Sequence, residues 1–207
     1  MVASAARVAP RSAVHRWFLR LSQAGVSKRL AHALTMADRE RVGREASPSG
    51  AVHDAQAARS GGVGVEGEPG YDPVRRVIGR KRHALTDTEG RLLIAAISPA
   101  DQHDSHVGVA LLQASRRLWR FLTHCFADRA HQGEHLGTAT ANIVVIIVPA
   151  GQTGFAVQPR RWVTERTFSW ISRGRRLARN HEATPSSALA FFVLAAMILV
   201  RRLKRAL

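Results

Sequence analysis

Residues 75–100, RRVIGRKRHALTDTEGRLLIAAISPA, contain two strand-like runs on either side of a short turn. The first run ends at Asp87 and the second begins at Arg91, with DTEG (87–90) between them. Apolar and β-branched residues around an Asp…Gly turn are typical of a β-hairpin. The stretch therefore predicts two antiparallel strands, and the segments around them decide the fold class.

Helical and strand-like segments alternate around this hairpin. Residues 12–45 have helical periodicity interrupted at Gly25, and AVHDA (51–55) is a short candidate strand. The remaining segments are a glycine-rich connection at 61–70, a helix from near Asp104, a strand at 121–128, a helix or loop at 129–136, a central strand at 142–151, and helices at 160–178 and 186–205. This order predicts an α/β sheet of about five strands with helices on both faces.

The chain is strongly basic. It has 31 Lys and Arg residues against 15 Asp and Glu residues, which gives a formal net charge of +16. Such a field favours a polyanionic partner, nucleic acid before acidic lipid. Lys28, Lys81 and Lys204 are the only lysines, a bias also typical of GC-rich coding, but coding bias does not explain the shortage of acids.

The cysteine and apolar content bear on the cellular compartment. Cys125 is the only cysteine, so an internal disulfide is impossible, which suits a reducing cytoplasm. The N-terminus lacks the unbroken apolar core of a signal peptide. The apolar run ALAFFVLAAMILV (188–200) is short for a membrane span and predicts a buried helix, with a membrane anchor as the alternative because RRLKR follows it.

Three acidic residues stand out from their surroundings. Asp54 lies in a predicted strand and Asp128 closes another, although aspartate is unfavourable in strands. Working side chains gather at the carboxyl ends of strands in α/β sheets, but each aspartate could instead cap the following turn or helix. Glu165 is the only acid among the seven arginines of RRWVTERTFSWISRGRRLARN (160–180).

A helical wheel places Glu165 on a polar, cationic face with Arg161 and Ser172, opposite Val163 and Leu177. An ordinary pair between Arg161 and Glu165 would explain one arginine but not the rest. Two aspartates and a glutamate can instead hold two hard divalent cations such as Mg²⁺, which activate a water or 3′-hydroxyl at a phosphodiester and stabilise the leaving oxygen.

The residues around Glu165 are compatible with DNA as the substrate. Arginines of this helix would neutralise DNA phosphates. Trp162 and Phe168 flank the polar face and either stack on an unpaired base or pack against neighbouring structure.

Four segments resemble, in order, the DDE transposases of bacterial insertion sequences, in the large group that includes insertion sequence five. They are VHDAQAARS (52–60), the hairpin region 70–104, CFADRAH (125–131) and the basic helix 159–182. The resemblance implies a ribonuclease-H-like mixed five-stranded sheet flanked by helices, with a short N-terminal helical arm. Residues 49–207 would form the catalytic domain, and residues 1–48 would be the remnant of a truncated N-terminal DNA-binding region.

The resemblance also implies roles for individual residues. Asp54, Asp128 and Glu165 match the catalytic, metal-binding triad, which would take two Mg²⁺ ions, with Mn²⁺ as a substitute. The residues expected to contact DNA are Arg80, Lys81, Arg82, Arg160, Arg161, Arg173 and Arg176.

The implied activity is metal-dependent DNA strand cleavage and transfer at the ends of an insertion element. The expected partners are element ends and target DNA, bound by a homodimer in the bacterial cytoplasm, associated with the nucleoid, without a membrane or a small-molecule cofactor. The alternative is a basic DNA-binding relic without catalytic activity.

Overall fold

The computed structural model describes residues 9–60, 69–128, 143–147 and 161–206, apart from the side chains of Arg161 and of residues 201–206. Helices and strands alternate along these ranges. In chain order they are α1 (Arg11–Gln23), α2 (Val26–Arg41), β1 (Gly50–Arg59), β2 (Gly70–Asp72), β3 (Val77–Asp87), β4 (Leu92–Pro99), α3 (Asp104–Leu118), β5 (His124–Ala127), β6 (Val144–Ile147), α4 (Arg161–Ser172) and α5 (Pro185–Ala206).

The strands form one mixed sheet. β3 pairs antiparallel with β1 on one side, and with β4 and β2, end to end, on the other. β5 runs parallel to β1, and β6 runs parallel to β5. The described sheet therefore has five strand positions, and helices flank it as in ribonuclease-H-like folds. The predicted fold class is confirmed.

The hairpin predicted from residues 75–100 consists of β3 and β4. Its turn is shaped by Asp87, whose Oδ1 accepts the backbone N–H groups of Glu89 and Arg91, each at 2.9 Å. Gly90 has φ +96°, a conformation that favours glycine. Local turn chemistry therefore supports the register of the β3–β4 pairing.

Each face of the sheet is covered by helices. On one face, Ala84 packs with Phe168 of α4 and Phe192 of α5. On the other face, Leu85 and Cys125 pack with Leu112 of α3 and with Trp119, which directly follows α3. Cys125 is fully buried, and burial raises the pKa of its thiol to about 12.

The helical arm packs onto this body. α2 contacts β4 and α5, and Thr35 Oγ1 donates a hydrogen bond to the Leu92 carbonyl at 3.0 Å. Gly25, at φ +66°, separates α1 from α2 as the sequence predicted. The division into domains at residue 48 stays a prediction.

Three predicted elements differ in extent or place. The candidate strand 51–55 is part of the longer β1, and the helix predicted over 160–178 ends at Ser172, where Gly174 N–H bonds back to the Ile171 carbonyl. The run 142–151 was predicted to be a central strand, but β6 lies at the end of the described strand order and Val144 is 57% exposed. The prediction failed because β-branched residues favour strands whether or not the strand is buried.

Two other predicted segments lie mostly or wholly outside the described residues. They are the connection at 61–70, of which most is outside, and the helix or loop at 129–136, which is outside entirely.

The apolar C-terminal run forms most of α5, as predicted, and packs in the core through Phe192, Val193 and Ala196. Among the described helices, none is long and apolar enough to cross a membrane.

Candidate active site

Asp54 and Asp128 are brought to the same level of two neighbouring strands. β1 and β5 are parallel and pair from Gly50 with His124 to Val52 with Phe126. Asp54 and Asp128 each lie two residues beyond the last pair, so alternation places both on the same face. Both are half-buried. The two aspartates therefore occupy one level of the sheet, with Asp54 in the middle of β1 and Asp128 directly after the carboxyl end of β5.

The register of β1 shows which face this is. Asp54 pairs with Ala84 of β3, and Ala84 lies in the core beneath α4 and α5. Directly paired residues in an antiparallel sheet point to the same side. Asp54 therefore points to the face that carries α4, and its Oδ1 accepts the Ala55 N–H at 2.8 Å.

Helix α4 is attached to this face at both ends. Near its start, the hydroxyls of Thr164 and Thr86 lie 3.4 Å apart, and at its end Ser172 Oγ donates to Gln56 Oε1 at 3.2 Å. Glu165 is exposed and lies seven residues before Ser172, almost two full turns. It is therefore on the edge of α4 that faces β1, where Asp54 lies.

The three carboxylates do not form a closed metal cage in this geometry. Among the described residues, no group of three or more His, Cys, Asp and Glu side chains could hold a metal ion. Asp54 and Asp128 supply oxygen donors of the type that hard divalent cations take, and the parallel strands set their level. The aspartate pair thus fits a cation, whereas Glu165 does not complete a three-carboxylate cluster with it.

The family of the chain follows from a match that spans this site. The family model for the transposase DDE domain matches residues 45–201 of the chain. The chain belongs to the DDE transposase family. No curated protein matches the chain. The family acts on DNA and generally uses divalent metal ions, while membership of the insertion sequence five group and truncation stay predictions.

Two of the arginines predicted to contact DNA are buried in the transposase domain. Arg80 and Arg82 are each 3% exposed. Arg80 donates to the carbonyls of Glu182 and Ala183, at 3.1 and 3.0 Å, and burial lowers the pKa of Arg82 to about 10. Their guanidinium groups therefore link β3 to the chain between α4 and α5. DNA contact by Arg80 and Arg82 stays a prediction, and the proposed DNA surface consists of exposed residues.

Arg82 shows how this link is made. Its guanidinium donates to the carbonyls of Leu177 and Arg179 at 2.6 and 3.1 Å. Between the two arginines, Lys81 points the other way and pairs with Asp104 at 2.9 Å. Charge in the sequence could not separate these roles, because the separation arises from alternation along β3.

The chain that follows α4 in this transposase carries a group of exposed arginines. Arg173, Arg175 and Arg179 are exposed, whereas Arg176, 60% exposed, pairs with Glu182 at 2.7 Å. Arg175 and Arg179 were not among the predicted DNA contacts, although they belong to the same basic run. Arg160 and the side chain of Arg161 lie outside the described residues.

The two aromatic residues beside Glu165 have different environments. Phe168 is 3% exposed and belongs to the core, so the structure supports packing against neighbouring residues, and not base stacking, for this side chain. Trp162 is 46% exposed, and the Arg166 guanidinium lies 4.6 Å from its ring centroid. Trp162 alone of this pair can offer a ring face to a base.

Proposed function

We propose that this chain is an insertion-sequence transposase that cleaves and transfers DNA strands at element ends, with Asp54, Asp128 and Glu165 as its catalytic carboxylates. The observation that supports it best is the common level of Asp54 and Asp128 on parallel strands within a matched DDE domain. Neither a cap nor a turn requires two aspartates at one level of adjacent strands. A divalent cation shared by the two carboxylates would account for both.

Under this proposal, Asp54, Asp128 and Glu165 would hold two Mg²⁺ ions, for which Mn²⁺ would substitute, and Glu165 would have to approach the aspartate pair because the three form no cluster among the described residues. Bound ions would supply activation of a water or 3′-hydroxyl and stabilisation of the leaving oxygen. The chain itself contributes position: β1 and β5 hold the aspartates, and α4 presents Glu165 at an exposed edge that DNA can reach.

The proposed DNA surface begins where α4 ends. Arg173, Arg175 and Arg179 would neutralise phosphates, and Trp162 would stack on an unpaired base. Two element ends must meet during transposition, so we propose a homodimer on DNA, acting in the cytoplasm.

Nicking of supercoiled plasmid by the purified chain tests the proposal. The assay contains Mg²⁺ or Mn²⁺ at low salt and compares wild type with Asp54→Ala, Asp128→Ala and Glu165→Ala. Asp101→Ala is the matched control, because Asp101 is an exposed carboxylate in the turn after β4. We expect metal-dependent nicking by the wild type and the control only.

The opposite result is equally specific. A folded wild type that binds DNA in a salt-sensitive way but never nicks it, and whose binding survives Asp128→Ala, would identify a DNA-binding relic.

A further inference from the structure

Five charged residues, four of them buried, form a cluster between the helical arm and the tip of the β3–β4 hairpin. We name it the hairpin-tip cluster, and its members are Asp38, Arg39, Asp87, Glu89 and Arg91. Arg91 Nε donates to Asp38 Oδ2 at 2.7 Å, and Arg39 Nη1 donates to Asp87 Oδ2 at 2.5 Å. Arg91 also pairs with Asp87 at 3.3 Å and with Glu89. The cluster thus binds α2 to both ends of the turn.

The cluster controls the shape of the turn. Asp87, which pairs with both arginines through Oδ2, uses Oδ1 to accept the N–H groups of Glu89 and Arg91. With Gly90 at positive φ, these bonds fix the directions of the Glu89 and Gly90 carbonyls.

Those two carbonyls are attachment points for α4. Arg166 Nη2 donates to the Glu89 carbonyl at 2.7 Å. The Thr167 hydroxyl lies 3.2 Å from the Gly90 carbonyl and 3.0 Å from the Val163 carbonyl, which share its one proton. The approach is tight, because a Cβ added at Gly90 would lie 2.7 Å from Thr167 Oγ1. Arg166 and Thr167 immediately follow Glu165, so the turn sets the position of the helix at the residue proposed to act.

We propose that Asp38 and Arg91 are positioning residues for Glu165. They hold the hairpin tip in the shape that seats α4 beside β1, and so the helical arm helps to place a carboxylate that it does not touch. This inference rests on the proposed function of Glu165, although the contacts from α2 to α4 exist independently of it.

General stabilisation of the fold is the competing explanation. Breaking a buried ion pair is destabilising, yet such a pair adds little compared with apolar packing, so stability alone is a weak reason for four buried charges. The two explanations differ in where a mutation is felt. A stabilising cluster affects all elements alike, whereas a positioning cluster loosens α4 before the rest.

Amide hydrogen exchange of the full-length chain, followed by mass spectrometry, separates them. In Asp38→Asn we expect exchange of α4 amides to rise about tenfold more than exchange of α3 amides on the opposite face, which rises only as far as global stability falls. Asp38→Glu should restore the wild-type pattern. Thr35→Val is the matched control, because it removes another α2–β4 hydrogen bond outside the hairpin-tip cluster.

A milder variant guards against loss of folding. Thr167→Val removes a single hydroxyl at the α4 end of the same link and should accelerate α4 exchange roughly threefold. Equal acceleration of α3 and α4, or unchanged α4 exchange in both variants, overturns the inference. The readout requires neither DNA nor metal, so absence of nicking would overturn the proposed function alone, and unchanged α4 exchange with intact nicking would overturn the positioning role alone.

Discussion

Asp54 lies two residues beyond Val52, and Asp128 lies two residues beyond Phe126. Val52 and Phe126 form the last pair of the parallel ladder between β1 and β5. If this pair holds a divalent cation, Asp54→Asn and Asp128→Asn should each weaken Mn²⁺ binding by about tenfold or more, because each removes an ionised oxygen donor. Isothermal titration calorimetry measures the affinity. Asp101→Asn should bind like wild type, and equal binding by all three variants would remove the aspartates from any metal site.

The exposed arginines after α4 should act on DNA through charge. Arg173→Gln, Arg175→Gln and Arg179→Gln should each reduce the slope of log affinity against log salt by about 1, at unchanged melting temperature. Fluorescence anisotropy of labelled duplex across a salt series gives the slope. Arg117→Gln is the control, since Arg117 is exposed on α3 at the other face of the sheet. The same loss in the control would indicate diffuse attraction only.

Arg82 should matter for stability and not for DNA directly. Arg82→Met should lower the free energy of unfolding by about 2 kcal/mol, because the buried carbonyls of Leu177 and Arg179 would lose their donor. Urea denaturation measures this change. A variant of unchanged stability with weakened DNA binding would return Arg82 to the DNA surface.

The ion pair of Asp38 should make stability depend on pH. Burial would raise the pKa of Asp38, but hydrogen bonds and charge from Arg91 and Arg41 outweigh burial and lower it. The unfolded state then binds the proton more readily, so the stability that Asp38 contributes is present above pH 4 or so and is lost as the pH falls through its folded pKa.

We therefore expect Asp38→Asn to cost about 3 kcal/mol near neutral pH and progressively less below about pH 4. Urea unfolding of wild type and variant between pH 3 and 7 gives both curves. A constant difference across that range would show that the charge of Asp38 is not what stabilises the pair.

Trp162 should contribute to binding of single strands. Trp162→Ala should weaken affinity for a short single-stranded oligonucleotide by about 1 kcal/mol or more, with little change in melting temperature, because a stacked base would lose its platform. Tryptophan quenching and anisotropy both report the binding. Trp17→Ala on α1, where the ring is also exposed, should bind normally.

Local patterns were sufficient for much of the fold. The hairpin follows from Asp87 and Gly90, and the burial of α5 follows from the length of its apolar run. The place of β6 at the end of the described order did not follow, because a β-branched run reports strand preference and not the number of neighbours. The extent of β1 was also hidden, since its small residues, such as Ala57, give no strong strand signal.

The candidate site was predictable in its acids and less so in its arginines. An acid at a strand end is visible in sequence, and so is a lone glutamate among arginines. The burial of Arg80 and Arg82 depends on the chain that folds back after α4, about a hundred residues later, and no local pattern reports it. The hairpin-tip cluster was missed for the same reason, because Asp38 meets Arg91 only after α2 docks.

The parallel pairing of β1 with β5 is short, from Gly50 to Val52, whereas β1 pairs with β3 along Ala51–Arg59. Parallel pairing is slightly less stable per residue than antiparallel pairing. Asp54 and Asp128 lie on the two strands of this short parallel ladder. Warming should therefore separate the two aspartates before the whole domain unfolds, so that the proposed metal-dependent activity would be lost at a lower temperature than the fold.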